Sequence, residues 1–213
     1  MSLFPILVEL KQRKCVVVGA GKIAAGKAAG LLRGGARVVM IGPRGSSWVR
    51  SRARAGKLMW RPRPFTARDV EGAFLVIAAT NSSATNEAVF RACVERGVLC
   101  NVVDDPERCD FFYPAVVRRG PLQIAISTSG RSPALARRLR IELERQFGPE
   151  YGAWVEHVGK MRGKLLTQRM TRNERRKLLD QIASQESFET FVQRRGSAKA
   201  QAPKRKAGER PGQ

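Results

Sequence analysis

Val16-Val17-Val18-Gly19-Ala20-Gly21-Lys22-Ile23-Ala24 decides the reading of this chain: an apolar run breaks into a glycine turn, and an alanine-rich helical pattern follows at once. Consecutive valines favour a strand, and unbroken apolar character marks one buried on both faces. Gly19 permits the tight turn out of that strand. Gly21 lets the backbone approach a pyrophosphate, and Ala24 is small enough for the helix to lie close on the sheet. The helix N-terminus offers free N–H groups and positive dipole to phosphates. A strand-to-helix turn also wants glycine for steric reasons alone, so the surrounding pattern has to carry the argument.

That pattern is a repeated strand-then-helix rhythm. Strands are expected at residues 14–19, 37–42, 58–61, 74–79 and 98–103, with helices at 22–33, 46–55 and 83–96 between them. Such alternation implies a Rossmann-type α/β domain, a parallel sheet covered on both faces, over residues 1–113. The pattern then changes. Short β-prone runs at 113–117 and 122–128 flank Arg118-Arg119-Gly120-Pro121, and Ser132-Pro133 opens a helix with a cap and a first-turn proline. Leu135, Leu139, Leu143 and Phe147 recur every four residues and predict one buried stripe on that helix. A small β-plus-helix segment is therefore expected at 114–149, and an all-helical domain at 150–195, with helices at 151–168 and 172–194. Residues 196–213, rich in Gly, Pro, Ala and Lys, are expected to be a disordered basic tail.

Of the 213 residues, 43% are apolar and 27% charged, as in a globular protein, and no apolar run is long enough to span a membrane. The N-terminus lacks the regions of a signal peptide, which makes the cytoplasm the expected location. Cys15, Cys93, Cys100 and Cys109 form no CxxC pair and are expected to be reduced thiols, with no metal site. The net charge of +22 would attract nucleic acid, an anionic surface or a polyanionic small molecule. No interleaved aromatic platform or nucleic-acid motif accompanies the basic helices, which argues against nucleic acid.

Three clusters carry chemistry. Ala78-Ala79-Thr80-Asn81 ends the fourth strand, where Thr80 and Asn81 would meet a dinucleotide at the carboxyl edge of the sheet. Asn101-Val102-Val103-Asp104-Asp105 sets two carboxylates beyond the last parallel strand. Asp105, followed by Pro106, suits a turn, and Asp104 suits proton transfer beside a nicotinamide. Ser127-Thr128-Ser129-Gly130-Arg131-Ser132-Pro133 is a hydroxyl-rich loop at a helix N-terminus, a cradle for a carboxylate, with Ser132 accounted for by capping. His157, among Trp154, Val155 and Val158, is expected to pack rather than to ligate. Trp48, Trp60 and Trp154 are scattered and are expected to pack locally.

Together these runs, with Phe4-Pro5-Ile6, Asn86, Cys109-Asp110-Phe111-Phe112-Tyr113-Pro114-Ala115 and Ser132-Pro133-Ala134-Leu135-Ala136-Arg137, resemble the precorrin-2 dehydrogenase family, which also forms the N-terminal module of bacterial siroheme synthases. The resemblance covers about two-thirds of the chain, to about Arg140, and continues weakly beyond. It implies NAD-dependent oxidation of precorrin-2 to sirohydrochlorin by a homodimer, with a Rossmann domain, a dimerisation segment and a helical domain. Its active-site aspartate falls on Asp104. Its cofactor contacts fall on Gly19, Gly21, Lys22, Ile23, Pro43 and Arg44, and its substrate loop on Ser127, Thr128, Ser129 and Gly130, beside Arg131. A serine found at this place in some siroheme synthases is Thr128 here.

Precorrin-2 bears carboxylates on every acetate and propionate arm, so a basic protein suits it. Arg118, Arg119, Arg131, Arg137 and Arg138 are the cations expected nearest the cleft. Gly42-Pro43-Arg44 ends the second strand without the acid that holds the ribose of NAD, so residue chemistry leans towards NADP. The resemblance implies NAD, which we take as the expected cofactor. Some relatives also insert ferrous iron into sirohydrochlorin in the same cleft, and that activity stays open here, as does a non-catalytic NAD-binding sensor. The methyltransferase half of the fused siroheme synthases is not expected in the residues after 195.

Overall fold

A computed structural model describes residues 3–200, which divide into two compact units at Tyr113 and Pro114. In the first unit five parallel strands form one sheet in the order β3-β2-β1-β4-β5. They are β1 (Lys14–Val18), β2 (Arg37–Ile41), β3 (Met59–Arg61), β4 (Leu75–Ala78) and β5 (Leu99–Val102). The connecting helices are α1 (Lys22–Arg33), α2 (Ser47–Arg54) and α3 (Ser83–Glu95). Alternate side chains enter opposite cores, as the two-residue period of a strand requires. Cys15, Val17, Val38, Met40, Leu75 and Ile77 pack with Ala24, Ala28 and Leu31 of α1 and Val49 of α2. Val16, Val18, Val39, Ile41, Val76 and Val102 pack with Val89, Ala92 and Cys93 of α3. Both faces of the sheet are thus covered, which is why its strands read as unbroken apolar runs. Cys15, Cys93, Cys100 and Cys109 are all free thiols.

The second unit begins with an antiparallel hairpin, β6 (Ala115–Arg119) and β7 (Leu122–Ile126), in which Val117 pairs with Ile124. Gly120 turns it at φ +55°, and Gly152 of α5 (Glu150–Leu166) packs so tightly there that a Cβ would lie 3.1 Å from the Arg119 carbonyl carbon. α4 (Pro133–Gln146) lies on the hairpin, capped by the Ser132 hydroxyl on the Leu135 N–H. Its leucine stripe departs from expectation. Among the residues of α4 only Ala136 is buried, and Leu135 remains 38% exposed, because a two-stranded hairpin is too narrow to cover four helical turns. The expected helix over 172–194 is two, α6 (Arg172–Ile182) and α7 (Gln185–Ala200), separated where the Ser184 hydroxyl accepts from the Ser187 N–H. Tyr151 stacks on Phe188 at 4.3 Å, and Trp154 meets Phe188 and Phe191, forming an aromatic core for these helices. Residues 196–200 continue α7 instead of starting the tail, since no proline intervenes before Pro203; residues 201–213 lie outside the described residues.

One buried acid ties the sheet edge to its crossover. Asp69, 2% exposed in a 3₁₀ turn at Ala67–Val70, accepts from Arg61 Nη1 (2.8 Å), both Arg63 terminal nitrogens (2.6 and 2.8 Å) and the Thr66 N–H (2.9 Å). Burial opposes its charge. The hydrogen bonds from Arg63, Thr66 and Arg61 outweigh that and hold the carboxyl well below the usual carboxylate range. A group whose pKa is depressed by folding stabilises fully above its unfolded pKa of about 3.9 and loses that contribution as the pH falls through the folded value. Asp69→Asn is therefore expected to lower stability by about 2–3 kcal/mol at pH 7 in urea unfolding, with half-exposed arginines keeping the loss below that of a fully buried pair. The gap between wild type and variant should narrow as the pH falls below about 4.

Candidate dinucleotide and proton-transfer site

The carboxyl ends of β1 and β4 meet where the strand order reverses, so the loops after them open a crevice at the place where such sheets bind ligands. Gly19 leaves β1 at φ +115°, and a Cβ there would stand 2.2 Å from the Ala79 carbonyl oxygen. No other residue fits. The Gly19 N–H donates to Ile41 O (2.7 Å) and the Ser46 N–H to Ala20 O (2.9 Å), tying this turn to the loop after β2. Gly21 differs. Its φ is an ordinary −79°, and a Cβ there would meet nothing within 4 Å, so nothing inside the chain requires glycine. Whereas α2 and α3 are capped by Ser46 and Ser82, α1 has no side-chain cap and no acid in its first turn. Its N–H groups face an open backbone approach, with Lys22 and Ile23 exposed beside it, Ile23 at 57%. An uncapped helix start behind a side-chain-free position is what a pyrophosphate needs, so these residues fit a dinucleotide.

Pro43 and Arg44 are exposed on the loop after β2. Trp60 fixes that loop by donating Nε1–H to Gly42 O (3.0 Å) and by lying where a Gly45 Cβ would stand 2.8 Å from its ring. Arg44 forms no ion pair or hydrogen bond among the described residues. After β4, the Thr80 hydroxyl and Asn86 Oδ1 lie 2.7 Å apart, and Asn86 Nδ2 donates to Thr80 O (3.2 Å). Asn86 braces Thr80, and Asn81 is left exposed at the edge.

Beyond β5 the chain folds back. Asn101 bridges Cys109, its Nδ2 donates to Phe111 O (2.8 Å), and the Cys100 N–H donates to Asp110 Oδ2 (2.8 Å). Asp104 stands in the loop so closed, exposed, with φ +64°. A left-handed aspartate costs roughly 1 kcal/mol and persists where the surroundings over-determine it. Asp105 pairs instead with Arg108 and serves the turn. Lys27, which the motif reading missed, is half-buried on α1 with its ammonium 3.9 Å from the Tyr113 ring centroid. Burial lowers its pKa, and the Asp104 charge acts against that. The signal was present in the spacing: Lys27 follows Ala24 by three and precedes Leu31 by four, which puts a lysine on the sheet-facing side.

The hydroxyl-rich loop belongs to the second unit. Ser129 (φ +51°) and Gly130 (φ +78°) turn it, the Ser127 hydroxyl accepts from the Ser129 N–H, and the Thr128 hydroxyl accepts from the Ser132 N–H. Ser129 and Arg131 are exposed there. Three of the five expected cleft arginines are otherwise engaged. Arg119 donates to the carbonyls of Phe147 and Glu144, closing the end of α4, and Arg118 donates to Gln123. Arg138 pairs with Glu142. His157 packs against Trp154 and Phe191. Among the described residues no three acids, cysteines or histidines gather as for a metal ion.

Residues 6–115, slightly more than half of the chain, match the family model described as "Putative NAD(P)-binding". The chain belongs to this NAD(P)-binding family. Residues 119–146 match a second model, the central part of sirohaem biosynthesis proteins. Siroheme synthase 1 of Serratia proteamaculans is 38% identical over 201 residues, covering 94% of this chain and 42% of that protein. Siroheme synthase of Actinobacillus pleuropneumoniae is 36% identical over 202 residues, covering 95% and 42%. The chain thus spans about two-fifths of the length of the curated relatives it matches. The solved structure of SirC, a precorrin-2 dehydrogenase, superposes with a TM-score of 0.78 over 93% of this chain and 98% of that one, at 24% identity, and so shares the fold. NAD(P) binding by this family member follows from that match.

Gly19 and Gly21 should separate on mutation. Gly19→Ala is expected to destabilise by more than about 3 kcal/mol, because backbone sits where its Cβ must go. Gly21→Ala should leave the thermal midpoint within about 2 °C and raise the Kd for NADH at least tenfold, or by about 1.4 kcal/mol, as read by nicotinamide fluorescence.

Proposed function

We propose that the protein is a precorrin-2 dehydrogenase that uses NAD to oxidise precorrin-2 to sirohydrochlorin. The observation that carries this reading is the exposed, left-handed Asp104 on the same sheet edge as the uncapped start of α1, within a chain similar along 94% of its length to a siroheme synthase. Bound NAD supplies a hydride acceptor. The oxidation removes two electrons and two hydrogens, and the hydrogen not lost as hydride leaves as a proton. The Asp104 carboxylate, held beyond β5 by the Asn101 bridge, accepts that proton. Gly21 and the first turn of α1 orient the dinucleotide, with Lys22, Ile23, Pro43, Arg44, Thr80 and Asn81 around it.

Ser127, Thr128, Ser129, Gly130 and Arg131 receive the substrate's carboxylates. Arg131 and Arg137 form no ion pair among the described residues, which suits them to this role. Residues 1–113 form the cofactor domain, 114–149 the dimerisation segment and 150–195 a helical domain. The exposed Leu135 and Ile141 of α4 support a homodimer that covers this helix. Among the described residues no helix is long and apolar enough to cross a membrane, in keeping with the proposed cytoplasmic site.

Replacing Asp104 by Ala is expected to lower kcat at least 100-fold, in the range of a lost general base, while the Kd for NAD changes less than about twofold. Full activity of that variant would remove Asp104 from the mechanism. NAD should exceed NADP in kcat/KM, as the resemblance to the precorrin-2 dehydrogenase family implies, although the unpaired Arg44 by its chemistry alone would suit a 2′-phosphate. A preference for NADP in the same assay would assign Arg44 to the 2′-phosphate.

A further inference from the structure

The half-buried cations of the first unit have partners, with one exception. Arg61 and Arg63 pair with Asp69, and Arg108 pairs with Asp105 and Glu87. Lys14 donates to the backbone carbonyl of Asp69 (3.3 Å). Lys27 forms no ion pair and no hydrogen bond among the described residues. The Tyr113 ring lies 3.9 Å from the ammonium, and Tyr113 is itself set edge-on against Phe111 at 5.9 Å between ring centroids. A desolvated ammonium with three unused donors is unfavourable unless something supplies an acceptor. Burial lowers its pKa, and the Asp104 charge and the Cys109 thiol restore only part of the loss. The Asp104 charge thus acts on the cation without pairing with it.

We propose that Lys27 is a substrate-binding residue whose ammonium, steadied on the face of Tyr113, takes one carboxylate of the tetrapyrrole beside Asp104. This rests on the oxidoreductase reading above. The dinucleotide's phosphates are the other source of anionic oxygen, but they belong to the first turn of α1, where the dipole acts. Lys27 lies a turn further along and faces the chain after β5. A lysine suits this task because a compact point charge accepts an acid arm from several directions, whereas the aromatic face restricts where that charge can move.

The test titrates sirohydrochlorin and NADH separately into wild type, Lys27→Met, Lys27→Arg, Tyr113→Phe and Tyr113→Leu, and measures KM and kcat for precorrin-2. Lys27→Met should raise the sirohydrochlorin Kd and the precorrin-2 KM about tenfold, with kcat within about threefold and the NADH Kd unchanged. Lys27→Arg should recover most of the affinity and Tyr113→Phe all of it, while Tyr113→Leu should lose about threefold. An unchanged sirohydrochlorin Kd in Lys27→Met overturns the proposal, as does a rise confined to the NADH Kd, which would assign the lysine to phosphate. Wild-type protein that binds sirohydrochlorin through Lys27 but oxidises no precorrin-2 would sink the dehydrogenase reading and leave this one standing.

Discussion

The first unit is organised around one close approach, that of Gly19 to the carbonyl of Ala79. The turn out of β1 and the loop after β4 occupy the same few ångströms, so close that a single added carbon at Gly19 would collide with backbone. That contact fixes where α1 starts relative to the central pair of strands. It also opens the crevice at the reversal of strand order, between β1 and β4. From it follow the placement of the uncapped helix start, the loop carrying Pro43 and Arg44, which is tied to the turn through Ser46, and the brace of Thr80 by Asn86. Gly21 sits two residues on and obeys no such packing constraint, which separates a glycine the fold requires from one it does not.

Most of this architecture was legible because both faces of the sheet are buried. Unbroken runs such as Val16 to Val18 admit no amphipathic alternative, and α1 was bounded correctly at Lys22 and Arg33 by its glycines. The expected strands were mostly a residue too long at their ends, because Gly19, Gly42, Ala79 and Val103 already bend into loops. The second unit was harder. Four-residue spacing of leucines identified α4 as amphipathic, but periodicity states which face is apolar and not whether the same chain covers it. Ser184, an ordinary polar residue in a helical stretch, restarts a helix there.

At the candidate site, motif reading singled out residues whose type is distinctive, such as the glycine turn and Asp104, and passed over those whose meaning depends on a distant partner. Asp69 is unremarkable in sequence, yet it gathers Arg61, Arg63 and Thr66 into a buried network. Lys27 becomes informative only when Tyr113 is brought over it. Conversely, Arg119 looked free for a ligand and instead closes the end of α4. Net charge therefore says little about the site. What matters is which cations remain unpaired, and Lys27, Arg44, Arg131 and Arg137 are among them.

We propose that this crevice performs a two-electron oxidation of a tetrapyrrole. The most direct test is anaerobic incubation of the purified protein with enzymatically generated precorrin-2 and NAD, without metal, following sirohydrochlorin absorbance and NADH fluorescence in the same cuvette. Both should appear together in equal amounts. Tight NADH binding with no sirohydrochlorin formed would contradict it and leave a dinucleotide-binding protein of another purpose.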